Sequence, residues 1–99
     1  MKKRPEYNLV ETGKNLRRLR EKKQLTVEDV RQYMGLGTVQ AVYRWEWGRN
    51  YPTADALMAL AELYDVNPQK IMVKKVPMYY PKNAIQLWYV QGMDYVVYI

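Results

Sequence analysis

The 99-residue chain contains no cysteine, no histidine and no phenylalanine. Without cysteine it has no disulfide, and without either cysteine or histidine it lacks the usual zinc and copper ligands. The missing histidine also removes the commonest general base, and Ser-His or Cys-His catalysis with it. A carboxylate mechanism would need a pair of acids in a pocket motif, but the ten Asp and Glu fall mostly at polar helix positions. The expectation is no metal, no cofactor and no enzyme. No run of ~18 apolar residues is present, so no membrane span is expected. The basic start Met1–Glu11 leads into no apolar signal stretch, and a cytoplasmic protein is expected.

What is present points elsewhere. Hydrophobic residues make up 48% of the chain, enough for a modest core and one domain with an appendage. The formal net charge is +6. Residues 1–23 hold nine basic and three acidic side chains, and the remainder balances at seven of each, so the surplus lies wholly at the start. A basic surface attracts polyanions, nucleic acid above all, although a solvated helix face has the same composition.

Residues 1–8 read as a flexible basic arm, Lys2-Lys3-Arg4 with Pro5. A first helix is expected from about Thr12, as N-cap, to Lys23, with Leu16 and Leu19 continuing an apolar face from Leu9 and Val10. Thr26 and Asp29 form a capping-box variant for a second helix, whose apolar stripe is Val27, Val30, Tyr33 and Met34. Gly35 stops it. Thr38 caps a third helix running to about Trp47, with Val42 and Trp45 facing inward and Gly48 as the stop. Trp47 lies either against the following loop or on the outer side. Thr53 caps a fourth helix, with Ala56, Leu57, Leu60, Ala61 and Leu63-Tyr64 at helical spacing. Asn67-Pro68 opens a fifth, and Ile71 and Met72 close the core.

The tail differs in kind. Beyond Pro77 and Pro81, segments 85–90 and 95–99 are β-branched and aromatic, separated by Gln91-Gly92-Met93-Asp94, which reads as two strands and a turn. Residues 79–99 carry six of the thirteen aromatics: Tyr79, Tyr80, Trp88, Tyr89, Tyr95 and Tyr98. A lone hairpin is barely stable in water and its edges are adhesive. The segment is expected to pack on its own domain, on a second copy or on a different protein, and the second copy is favoured.

Leu25–Pro52, two short helices and a tight turn followed by Trp45-Glu46-x-Gly48, resembles the phage repressor/Cro (XRE-type) helix-turn-helix family. The likeness extends back to Gly13-Lys14-x-Leu16-Arg17-x-Leu19-Arg20 and forward through Pro52-Thr53 and Leu57-x-x-Leu60-Ala61 to Val66. It implies a mainly α fold: a five-helix repressor-like domain over residues 9–75, to which the reading of the tail adds a β-hairpin extension over 76–99 for dimerisation. It also implies that Thr38, Val39, Gln40, Ala41 and Arg44 face DNA. The chemistry suits that role: a Gln amide pairs with adenine, an Arg fork with guanine or a phosphate, and Val39 and Ala41 with thymine methyls. Tyr43 flanks them. Arg49, Asn50 and Tyr51 match the family's phosphate-contacting loop, and Lys14 and Arg17 could add backbone contacts. Arg20 and Glu46 match an ion pair tying helix 1 to the end of helix 3. Two positions depart from the family: Val27 replaces a polar phosphate-gripping residue, and Gln24 replaces a frequent glycine, so a differently built end of helix 1 is expected.

The function expected is a sequence-specific, DNA-binding transcriptional regulator acting on double-stranded DNA at the nucleoid, a repressor working as a homodimer through residues 79–99 with helix 3 in the major groove. The alternative is an antitoxin that binds a partner protein and its own operator.

Overall fold

Four α-helices and a 3-10 turn follow one another, and each helix opens and closes on a local device: α1 (Leu9–Lys22), α2 (Val27–Met34), α3 (Gln40–Glu46), α4 (Ala54–Tyr64) and the turn Pro68–Lys70. The structure is a computed structural model and describes residues 2–75. The expected hairpin and the aromatic tail lie outside the described residues. The mainly α helix-turn-helix architecture is present, but the fifth element is a single 3-10 turn of three residues, with Pro68 in its first turn and the Asn67 side chain accepting the Gln69 N–H at 3.0 Å.

α1 begins earlier than its sequence suggests. Asn8, not Thr12, is the N-cap, its side chain accepting the Glu11 N–H at 3.0 Å. Thr12 is buried inside the helix and its hydroxyl accepts the N–H of Val73 at 3.0 Å. Asn15 donates to the carbonyls of Lys70 and Ile71 at 2.8 and 3.0 Å. Beside these, Tyr7 and Lys74 form an antiparallel bridge, with Asn8 N–H donating to Val73 and Lys75 N–H to Glu6 at 2.7 and 2.9 Å. The two ends of the domain are thus fastened along one side of α1.

α2 opens with both capping-box bonds between Thr26 and Asp29, at 2.8 and 3.0 Å. Tyr33 does not join the apolar stripe: it is 49% exposed, while Val30 is sealed in the core and Val27 and Met34 pack against it. α3 starts one residue later than expected. Val39 is its N-cap with no side-chain bond, and the Thr38 hydroxyl accepts the Gln40 N–H at 3.3 Å. Thr53 caps α4 through the Ala56 N–H.

All four helices end alike, with one residue in the left-handed region and the next N–H returning to the carbonyl five residues back. These bonds run Leu25 to Arg20, Leu36 to Arg31, Arg49 to Arg44 and Val66 to Ala61, at 2.9–3.1 Å. Glycine fills the left-handed position after α2 and α3, whereas Gln24 and Asp65 adopt φ 58° and 57° after α1 and α4. The end of α1 is therefore not built differently, as Gln24 suggested; an ordinary side chain takes the same strained conformation. Leu25, Leu36 and Val66 then fold back on the core.

Leu16, Val30, Val42, Leu60 and Ile71 are fully buried, with Trp45 and Tyr64 around them. Burial pushes the Tyr64 hydroxyl well above its ordinary pKa, and the Glu46 charge adds to that. Val10 is not part of this core; it is about half exposed. Among the described residues no helix is long and apolar enough to cross a membrane.

Candidate nucleic-acid interface

α3 rests on α1 at backbone contact. A Cβ on Gly13 would fall 2.5 Å from the Trp45 carbonyl oxygen and 2.7 Å from that of Glu46, so no side chain fits there. A Cβ on Gly48, at φ 71°, would fall 2.8 Å from the Val10 Cα. Beside this crossing, Arg20 donates to both carboxylate oxygens of Glu46 at 2.7 and 3.0 Å and to the Leu25 carbonyl at 3.0 Å. Both side chains are nearly shut from water. The Glu46 hydrogen bonds raise the Arg20 pKa against the lowering effect of burial, and the two-pronged bond fixes the end of α3 to α1 and to the loop that leads into α2.

With Val42, Trp45 and Glu46 turned inward, helical spacing sends Gln40, Tyr43, Arg44 and Trp47 outward as one row. Gln40 and Arg44 are exposed, and neither side chain has a hydrogen-bond partner among the described residues. Tyr43 is half-buried and stacks on Trp47, with ring centroids 5.1 Å apart. Thr38 is exposed and Val39 half-exposed at the start of this row. Ala41 leans the other way, packing against the core, which takes it out of the outward set.

The loop after α3 brings Arg49, Asn50 and Tyr51 to the surface. Arg49 occupies the position at which the other three helices place Leu or Val against the core, yet it is exposed. The Asn50 amide donates to the Tyr51 carbonyl at 3.2 Å. Lys14 and Arg17 sit on the exposed side of α1, paired along the helix with Glu11 and Glu21, each at 3.4 Å. Sequence reasoning missed two features here. Arg31 makes a clamp with Glu28 like that of Arg20, signalled only by opposite charges three residues apart, and the Tyr43–Trp47 stack was signalled only by aromatics four apart. A 460 Å³ groove lined by Tyr7, Leu57, Pro68, Met72, Lys70 and Lys74, with Gln69, includes none of the outward row. Among the described residues no cluster of acids could hold a metal ion.

Residues 11–71 match the family model described as a helix-turn-helix domain. The chain belongs to this family. The match is of the XRE type that the sequence resembled, and the fold is that of DNA-binding transcription regulators. Among solved structures, this helix-turn-helix domain is 30% identical to the restriction-modification controller protein C.AhdI from Aeromonas hydrophila, with TM-score 0.58 over 64% of this chain and 94% of that one. It is 25% identical to the S. venezulae BldD DNA-binding domain, with TM-score 0.55 over 65% and 94%. A transcriptional regulator from Listeria innocua, 16% identical, shares the fold at TM-score 0.59 over 84% of this chain and 73% of its own. No curated protein matches the sequence.

Proposed function

We propose that this helix-turn-helix domain is a sequence-specific transcriptional repressor that acts on double-stranded DNA in the cytoplasm, as a homodimer joined through residues 79–99, with no catalytic role. The observation that carries the reading is the outward row of α3: Gln40 and Arg44 stand one turn apart, exposed and unengaged, on a helix whose other side is locked to α1. A rigid helix with free amide and guanidinium groups suits the major groove, where an amide pairs with adenine and a guanidinium with guanine. Thr38 and Val39 extend the contact at the start of the helix. Arg49, Asn50 and Tyr51 supply backbone contacts, with Lys14 and Arg17 as further charge, and these position without reading sequence. Of residues 1–8, only Lys2, Lys3 and Arg4 with Pro5 remain for a basic arm, because Glu6, Tyr7 and Asn8 are fastened to the domain.

A second reading, an antitoxin that also binds a partner protein, draws support from the partly apolar groove of Tyr7, Leu57, Pro68 and Met72, which lies apart from the outward row. Selection of bound sites from random duplex DNA tests the first reading. An enriched palindrome with half-sites about one helical turn apart is expected, and no enrichment would refute sequence reading. Co-purification with a second chain from the native source would favour the antitoxin.

A further inference from the structure

Trp47 has no role in anything described so far. It is 58% exposed, although Trp45, two residues earlier, is buried. Exposure alone does not single it out, since Val10, Tyr33 and Met58 are also well exposed. Its setting does. The indole is held in a stack on Tyr43, with planes 25° apart, and it continues the row of Gln40 and Arg44 to the end of α3. Val10 lies against Gly48, the next residue along. The end of α3 therefore carries a neutral aromatic shoulder, with the exposed Arg44 and Arg49 before and after it in sequence.

The dimensions of the groove indicate what this shoulder meets. Seven residues of helix rise about 10 Å, and the major groove is about 12 Å wide. With Gln40 and Arg44 at base edges, Trp47 reaches the wall of the groove, where deoxyribose offers C–H surface to a ring face and phosphate oxygens accept from an indole N–H. We propose that Trp47, held by Tyr43, packs against the sugar–phosphate wall, with its ring on a deoxyribose and its Nε1–H on a phosphate oxygen, and so sets the depth and register at which α3 lies in DNA. This rests on the DNA-binding reading above. Trp47 is here a positioning residue. Being neutral, it releases no counterion on binding, which separates it from Arg44 and Arg49.

The test measures binding of the full chain to its selected site and to random duplex over a range of salt, with hydroxyl-radical footprinting of the selected site. Trp47→Ala is expected to weaken both complexes by about tenfold, to leave the slope of log affinity against log salt unchanged, and to lose protection at one or two sugars per half-site. Trp47→Phe keeps the ring and is expected to lose less; it also serves if the alanine variant does not fold. Wild-type affinity in Trp47→Ala, a loss confined to the selected site, a reduced salt slope or an unchanged footprint would each overturn the contact while leaving the DNA-binding reading standing. Failure of the unmutated chain to bind any duplex would overturn that reading first.

Discussion

Arg20 and Arg31 hold the same post on consecutive helices. Each accepts at its carbonyl the N–H of the residue five positions on, Leu25 or Leu36, and each donates its guanidinium to that same residue's carbonyl, at 3.0 and 2.7 Å. Each also grips a carboxylate through two bonds, Arg20 that of Glu46 and Arg31 that of Glu28. Arg44 holds this post on α3, with Arg49 five residues on. There the pattern stops, because the Arg44 guanidinium is exposed and bonds to nothing among the described residues. Two arginines are engaged in the scaffold, and the third has no partner among the described residues.

Breaking the Arg20–Glu46 pair should be costly. Glu46→Gln leaves a buried guanidinium facing a neutral amide, and Arg20→Met leaves a buried carboxylate alone. Either should lower unfolding free energy by about 3–5 kcal/mol in urea titrations, since a lone buried charge keeps its desolvation cost. The double variant Arg20→Met/Glu46→Leu should recover much of this. Additive losses in the double variant would show that the two residues do not act as a pair.

Gln24 adopts φ 58°, a region that costs a non-glycine residue about 1–2 kcal/mol. Gln24→Gly should therefore stabilise the chain by about 1 kcal/mol and raise Tm by a few degrees in calorimetry. An unchanged or lower Tm would mean that the Gln24 side chain contributes something its backbone conformation conceals.

Hydrogen bonds from Arg31, and then from Gln32, hold the Glu28 carboxyl down at about 2. A group whose folded pKa lies below its unfolded value stabilises the fold above the unfolded value, and that stability is lost as pH falls through the folded one. The window here runs from about pH 4.5 down to about 2. Tm should fall through this window, and less steeply in Glu28→Gln. Identical slopes in the two proteins would remove Glu28 from the acid response.

If residues 79–99 join two copies, deleting 77–99 should give monomers by light scattering with the helical circular-dichroism signal largely kept. A truncated chain that remains dimeric would move the interface elsewhere, with the groove of Tyr7, Leu57 and Met72 as the next surface to test.

The helix ends were the most legible part of the sequence because their chemistry is local. Thr26 with Asp29, Gly35, Gly48 and Thr53 each act within a few residues, and each stands where spacing put it. The inward face of α3, Val42 and Trp45, was legible for the same reason. Thr12 was misread as a cap because its hydroxyl serves a partner 61 residues away, which no local pattern encodes. Val10 and Tyr33 fit an apolar period but lie beyond the edge of the core, and Ala41 is small enough to sit at the boundary of either face. The outward placement of Gln40 and Arg44 on α3 was legible from their four-residue spacing. That Arg44 is unengaged while Arg20 and Arg31 are spent emerges only when the three are seen in place.

The most direct measurement is the affinity of Gln40→Ala for the selected site and for random duplex at one salt concentration. If α3 reads base edges, the variant loses about 1–3 kcal/mol on the selected site, tolerates a changed base at one position, and binds random DNA as the unmutated chain does. An equal loss on both duplexes, or no loss on either, would contradict base reading by this helix.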